Sequence, residues 1–279
     1  MKREEVKELV ERGIRELNQA LAAGKSDRLQ QYLDVMARFP RYSFNNCVLI
    51  AVQFPEASMV QGFHGWKKLG RSVKKGEKGI GIIAPMVGRK KKDDSASGSE
   101  ERAIYGFKVV HVYDVSQTEG DELPQFAEVA GDPGDNIEAV EHLIRSHRIE
   151  LTYEPIPSGA DGLSKKGAIV ISPDLEPAKR LVTLVHELSH ELLHRESERR
   201  KETTKTIRET EAEAVAHVVC QALGLESIEH CADYIQLYDG NAEVLAKSMD
   251  HIQKTSAQIL EGIQTQLKEL DTVKEDMAA

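Results

Sequence analysis

The sequence predicts an α+β protein built in two parts, and three observations carry that prediction. Apolar residues recur at helical spacing over both ends of the chain. Residues 59–114 instead alternate in short runs punctuated by glycine, which suits a small antiparallel sheet. A later helix-period segment, TLVHELSHELLHRE, holds a pair of histidines one turn apart. At 279 residues there is chain for one large domain or two ordinary ones. A composition of 40% hydrophobic and 30% charged residues is that of a globular protein, and no apolar run reaches membrane-spanning length.

Taken in order, Val6, Leu9, Val10, Ile14, Leu17 and Leu21 mark a first helix ending near Ala23, with Gly24 as its stop. A second is expected from Asp27 to Arg38, capped by Asp27 or Ser26 and closed by Pro40. Ser43 can cap a third, through Asn46, Val48, Leu49 and Val52, which Pro55 closes. Met59–Phe63 and Gly79–Pro85 read as short strands, Val87–Arg102 as a polar hairpin tip and Ile104–Asp114 as the return strand. Together these make an N-terminal α+β domain over residues 1–120. Gln117 to Asn136 is acidic and rich in Gly and Pro, and residues 121–136 read as a linker. In residues 137–240 a helix over Ile137–His147 precedes strands at Ile149–Tyr153 and, after a Gly-rich turn, Gly167–Ser172. Pro173 and Pro177 then introduce the helix with the histidine pair. Arg208–Leu223, stopped by Gly224, and Ile228–Tyr238 are helical, and residues 241–279 carry a long polar helix over Glu243–Val273.

Charge is unevenly spread. The net charge is −9, yet residues 57–92 hold ten Lys or Arg and one acid, Glu77. Seven of the fourteen aromatic residues fall between Tyr32 and Trp66, just before that basic run. Aromatics that stack on bases beside amines that track phosphates meet the physical needs of single-strand binding, although the same residues could serve as core and solvated loop. The three cysteines, Cys47, Cys220 and Cys231, form neither a disulfide framework nor a zinc ribbon. The N-terminus, MKREEVKELVERGIREL, lacks the apolar segment of a secretory signal. A cytoplasmic location and no membrane partner are expected.

His186-Glu187-Leu188-Ser189-His190 is an H-E-x-x-H pattern. On a helix both imidazoles face one way and can reach a single Zn²⁺, and Glu187 can hold a proton near the metal-bound water. A third ligand is needed. His194 lies on the same face, but residues eight apart on a straight helix are about 12 Å apart along the axis, so an outer-shell or surface role fits it better. The next helix offers Glu209, Glu211 and Glu213. Its apolar stripe runs through Ala216, Val219, Cys220 and Leu223, and Glu213 is the acid one turn before that stripe. Glu213 is therefore the favoured third ligand, in the gluzincin manner, with Glu209 and Glu211 as alternatives.

TLVHELSH followed by EAEAVAHVVCQALG resembles the zincin domain of ArdC-like antirestriction proteins and of the related ImmA/IrrE metallopeptidases. Their pattern of H-E-x-x-H and then Glu-x-x-Ala falls here on Glu213-Ala214-Val215-Ala216. YSFNNCVLIAVQFPEASMVQGFHGWKKLGRSVKKGEKGIGIIAP is similar to the ArdC N-terminal domain, and the likeness runs from roughly Tyr32 to Gly120. The resemblance implies a single-stranded DNA-binding domain, a role in protecting mobile DNA from restriction, and a zinc-dependent peptidase fold behind it. Its candidate DNA contacts are Tyr42, Asn45, Trp66, Lys67, Lys68, Arg71, Lys74, Lys75 and Lys78. The zinc site would comprise His186, His190 and Glu213 with Glu187 as proton acceptor, acting on an unidentified protein substrate. The alternatives are a DNA-binding protein with a vestigial metal site, and a DNA-dependent or repressor-cleaving protease.

Overall fold

The computed structural model describes residues 3–23, 27–89, 102–122, 133–195, 198–225 and 242–278. Most of the expected hairpin tip and of the linker, Gly24, Ser26 and the helix expected over Ile228–Tyr238 lie outside them.

The described chain runs α1 (Arg3–Ala22), α2 (Asp27–Arg38), α3 (Phe44–Gln53), β1 (Val60–Gly62), α4 (Phe63–Lys68), β2 (Arg71–Val73), β3 (Ile80–Arg89), β4 (Arg102–Asp114) and β5 (Thr118–Gly120). It continues with α5 (Pro133–Ser146), β6 (Glu150–Tyr153), β7 (Gly162–Ser164), β8 (Ala168–Ile171), α6 (Pro177–His194), α7 (Glu198–Glu202), α8 (Lys205–Ala222) and α9 (Ala242–Ala278). The α+β class read from the sequence holds. The chain divides into two compact units: residues 1–15 with 45–123, and residues 16–44 with 124–279. The division is not the contiguous one the sequence suggested. Residues 16–44 group with the second unit because α2 packs on α8.

In the first unit, β1, β4 and β3 form an antiparallel sheet in that order, and β2 pairs with β5. Val6 and Val10 of α1 pack with Leu49 of α3 against Ile83 and Val109 at the middle of the β3–β4 ribbon. The outer edge of β3 is closed by amide side chains. Asn46 bonds both backbone groups of Ile83, and Gln53 bonds both of Gly81, each at 2.9 Å. These bonds satisfy the row of unpaired groups that an edge strand otherwise offers. Buried Asp114 ends β4 and accepts from the backbone N–H groups of Ser58, Met59 and Ser116. Burial alone would raise its pKa, but these bonds hold it below the usual carboxylate value.

In the second unit, α5, α6, α8 and α9 pack on one another, and β6, β8 and β7 form a sheet in that order. β6 runs parallel to β8 and β7 antiparallel to it. Ile169, Ile171, Leu184, Leu188, Val215 and Val218 are fully buried there. Pro177 opens α6 at a first-turn position where its missing N–H costs nothing. Thr204 caps α8 by accepting from the Ile207 N–H at 3.2 Å. No helix among the described residues is long and apolar enough to cross a membrane.

Candidate metal centre

α6 carries His186 and His190 on one face, with their Nε2 atoms 3.1 Å apart. α8 crosses that face and brings Glu209, whose Oε2 lies 3.8 Å from His186 Nε2 and 3.3 Å from His190 Nε2. One donor atom from each of the three residues fits within 4.8 Å of the others. Two imidazoles and a carboxylate so placed fit a divalent cation with an open position left over.

The third residue is Glu209, not the expected Glu213. Helical periodicity fixes the face a residue occupies but not the level at which two helices cross. Glu209 and Glu213 share a face of α8, and α6 meets it one turn before Glu213. Glu213 still contributes a negative charge to the surroundings of His186. Burial would lower the pKa of His186, but Glu209, Glu187 and Glu213 together raise it. Hydrogen bonds from His186 and His190 hold Glu209 far below the ordinary carboxylate value.

Glu187 follows the first histidine and is itself buried. Burial raises its pKa, and the two histidines and the nearby backbone N–H of Ser164 oppose that rise. That N–H belongs to β7, three residues too short to show a strand's alternation, where the sequence shows a glycine-rich turn. The β7–β8 hairpin turns through Lys166 and Gly167, with φ of 38° and 101°, the backbone of a two-residue type I′ turn. Glu191, one turn after Glu187, clamps the hairpin to α6. It accepts from Ser164 Oγ at 2.6 Å and from the Gly167 N–H at 2.7 Å. A Cβ on Gly162 would stand 2.7 Å from a Glu187 oxygen, so glycine is what lets β7 approach the helix this closely. Hairpin, α6 and the start of α8 enclose a cleft of about 400 Å³ over Glu187, His190 and Glu209.

His194 lines the same cleft but turns its Nε2 into a buried network instead of towards His186, His190 and Glu209. Its Nε2 lies 3.0 Å from Glu211, which is also bonded by the Arg199 guanidinium. Arg199 in turn donates to Ser248 Oγ of α9 at 2.7 Å. Burial lowers the pKa of His194 despite the carboxylate beside it. Glu211, an alternative ligand by sequence, is instead held by His194 and Arg199, and Glu191 and Ser164 had no sequence signal. Buried acids look like any others until their partners are placed.

In the first unit two expected DNA contacts are corrected. Trp66 is fully buried and donates to the Tyr113 carbonyl at 2.8 Å, so its ring has no face for a base. Arg71 spends its guanidinium on Thr118 Oγ1, at 2.8 Å, and on the carbonyls of Thr118 and Asp121, which ties β2 to β5. Lys67, Lys68, Lys74, Lys75, Lys78 and Asn45 are exposed. Lys67 lies 5.1 Å from the centre of the exposed Phe63 ring, and Lys74 reaches the Ser116 carbonyl. Tyr42 falls in the second unit, half-buried against Phe39 at 5.9 Å.

Residues 3–113 match the family described as the N-terminal domain of anti-restriction factor ArdC. Residues 144–222 match the IrrE N-terminal-like domain of the M78 peptidase family. No curated protein matches the chain. The metal-free crystal structure of the antirestriction ArdC protein from R388 plasmid aligns over 92% of this chain and 98% of that one, with 20% identity and a TM-score of 0.55. The Mn(II)-bound structure of the same protein aligns over 91% and 98%, with 18% identity and a TM-score of 0.52. At these identities the likeness is one of fold. With both domains matched in this order along one chain, and the fold shared over most of it, the protein is similar to ArdC-like antirestriction proteins.

Proposed function

We propose that the protein is an antirestriction factor acting in the cytoplasm on mobile DNA, with single-stranded DNA held by the first unit and a zinc-dependent peptidase site in the second. The observation that carries the peptidase reading is the convergence of His186, His190 and Glu209, at a cleft lined by His190, Glu209 and the buried Glu187. His186, His190 and Glu209 would hold the ion, which supplies a Lewis acid able to acidify a water and polarise a carbonyl. Glu187 is suited to take the water proton and pass it to the leaving amine. Its carboxyl is pushed up by burial, closer to a working pH than a free glutamate. The room left by Gly162 lets that carboxylate sit against β7 at the wall of the cleft. Five exposed lysines, Lys67, Lys68, Lys74, Lys75 and Lys78, on the first unit support the DNA reading.

Glu187→Gln tests the peptidase reading. Bound zinc should remain near one equivalent, and cleavage of a generic fluorescent protein substrate should fall by about 10²–10⁴-fold. Undiminished cleavage would remove Glu187 from the chemistry. Protection of transferred plasmid DNA from a restriction enzyme, scored on the same variant, separates DNA coating from proteolysis.

A further inference from the structure

The walls of the metal cleft carry a charge pattern that the peptidase chemistry does not use. Six cationic side chains line it, against the carboxylates of Glu187, Glu191 and Glu209. Glu191 and Glu209 are already committed, to the β7–β8 hairpin and to the histidine pair, and Glu187 is buried. Arg195 leans on Glu191, with its Nε 3.6 Å from the carboxylate, and Arg208 donates to the carbonyls of Arg200 and Thr203. Lys165, Lys166, Arg200 and Lys205 are exposed, and among the described residues none has a carboxylate partner. They stand on different walls. Lys165 and Lys166 form the tip of the β7–β8 hairpin, Arg200 is on α7, and Lys205 opens α8. A divalent ion in the centre would add to the positive field.

We propose that this cleft selects an acidic peptide segment, with Asp or Glu side chains on both sides of the bond presented at Glu187 and His190. The inference rests on the peptidase reading of the same site and names its substrate class. Low-dielectric walls of one charge sign concentrate ligands of the other sign and orient them. The exposed Leu163 of β7 is the apolar contact in the lining, suited to a small apolar residue between the acids. A polyphosphate backbone would answer the same charge, but a single strand also needs aromatic platforms. The described lining contains no Phe, Tyr or Trp.

Full-length protein carrying Glu187→Gln, which binds without turnover, is titrated with two fluorescein-labelled dodecapeptides. They share an apolar centre, and one is flanked by four Glu and the other by four Gln. Fluorescence anisotropy should give the acidic peptide about tenfold or greater preference at low ionic strength, fading with added salt. Adding Lys165→Gln with Lys166→Gln, or Arg200→Gln with Lys205→Gln, should weaken the acidic peptide by about three- to tenfold. The Gln peptide, and the melting temperature, should not change. Equal affinity for the two peptides, or indifference to both double substitutions, overturns the proposal. Oligo(dT) of matched charge that competes for the cleft, and loses affinity with the same substitutions, would make the ligand nucleic acid instead. Wild-type cleavage of generic substrates without charge preference would leave the peptidase reading standing and sink only this one. Selective binding without any cleavage would do the reverse.

Discussion

Three glutamates of α8, two residues apart, should respond to the same Glu→Gln change in three different ways. Glu211 has a fully buried side chain, paired to an Arg199 that is only 5% exposed. Replacing its carboxylate by an amide leaves a buried guanidinium without its counter-charge, which costs about 3–5 kcal/mol. For a unit of this size each kcal/mol moves the melting temperature by about 2–4 °C, so a fall of about 6–20 °C is expected. Glu209 is half exposed, and its contacts to His186 and His190 are screened. Its substitution should change stability by about 1 kcal/mol or less in the metal-free protein. Zinc affinity should fall further than the ~10–100-fold typical of losing an outer-sphere partner. Glu213→Gln should stay below that range, because Glu213 acts on His186 through its charge and is not among the three residues that converge. Thermal melting of the metal-free proteins and competition titrations with a zinc chelator read both quantities. Loss of zinc by Glu213→Gln with retention by Glu209→Gln would refute the crossing level of α6 and α8. A Glu211→Gln protein melting within about 2 °C of wild type would refute the buried pair.

Other consequences are independent of this helix. Replacing Lys67, Lys68, Lys74 and Lys75 by Gln should weaken single-stranded DNA binding for all sequences. The slope of log affinity against log salt should fall by up to about 3, and an unchanged slope would make these lysines solvated surface only. Trp66→Ala should cost about 3–5 kcal/mol in stability of the first unit. DNA affinity per folded molecule should persist, and selective loss of binding in a fully stable variant would reverse the reassignment of Trp66. Asp114→Asn should destabilise by about 1.5–3 kcal/mol at neutral pH. Because the folded pKa of Asp114 lies below the unfolded value of about 3.9, its contribution is complete above that pH and is lost as pH falls through the folded value. Denaturant titrations of the two proteins should therefore converge at low pH, and a constant gap would contradict the carboxylate account.

What the sequence determined by itself is what depends on neighbours along the chain. The spacing of His186 and His190, the periodicity of α1, α2, α6 and α8 and the alternation of β4 follow from local geometry, and all were legible. So was the excess of lysines after Trp66. The short elements α4, β2, β5 and β7 were not legible, because three to six residues carry too little periodicity and are held by partners far along the chain. The identity of the third glutamate was likewise beyond reach. Glu209, Glu211 and Glu213 have the same chemistry and similar settings on paper, and the packing level of α8 against α6 alone gives one of them to the histidines and another to Arg199. The same holds for Trp66 and Arg71, whose residue types suit DNA contact equally well until tertiary packing buries the one and occupies the other. A residue's type limits what it can do, and the fold decides which partner reaches it first.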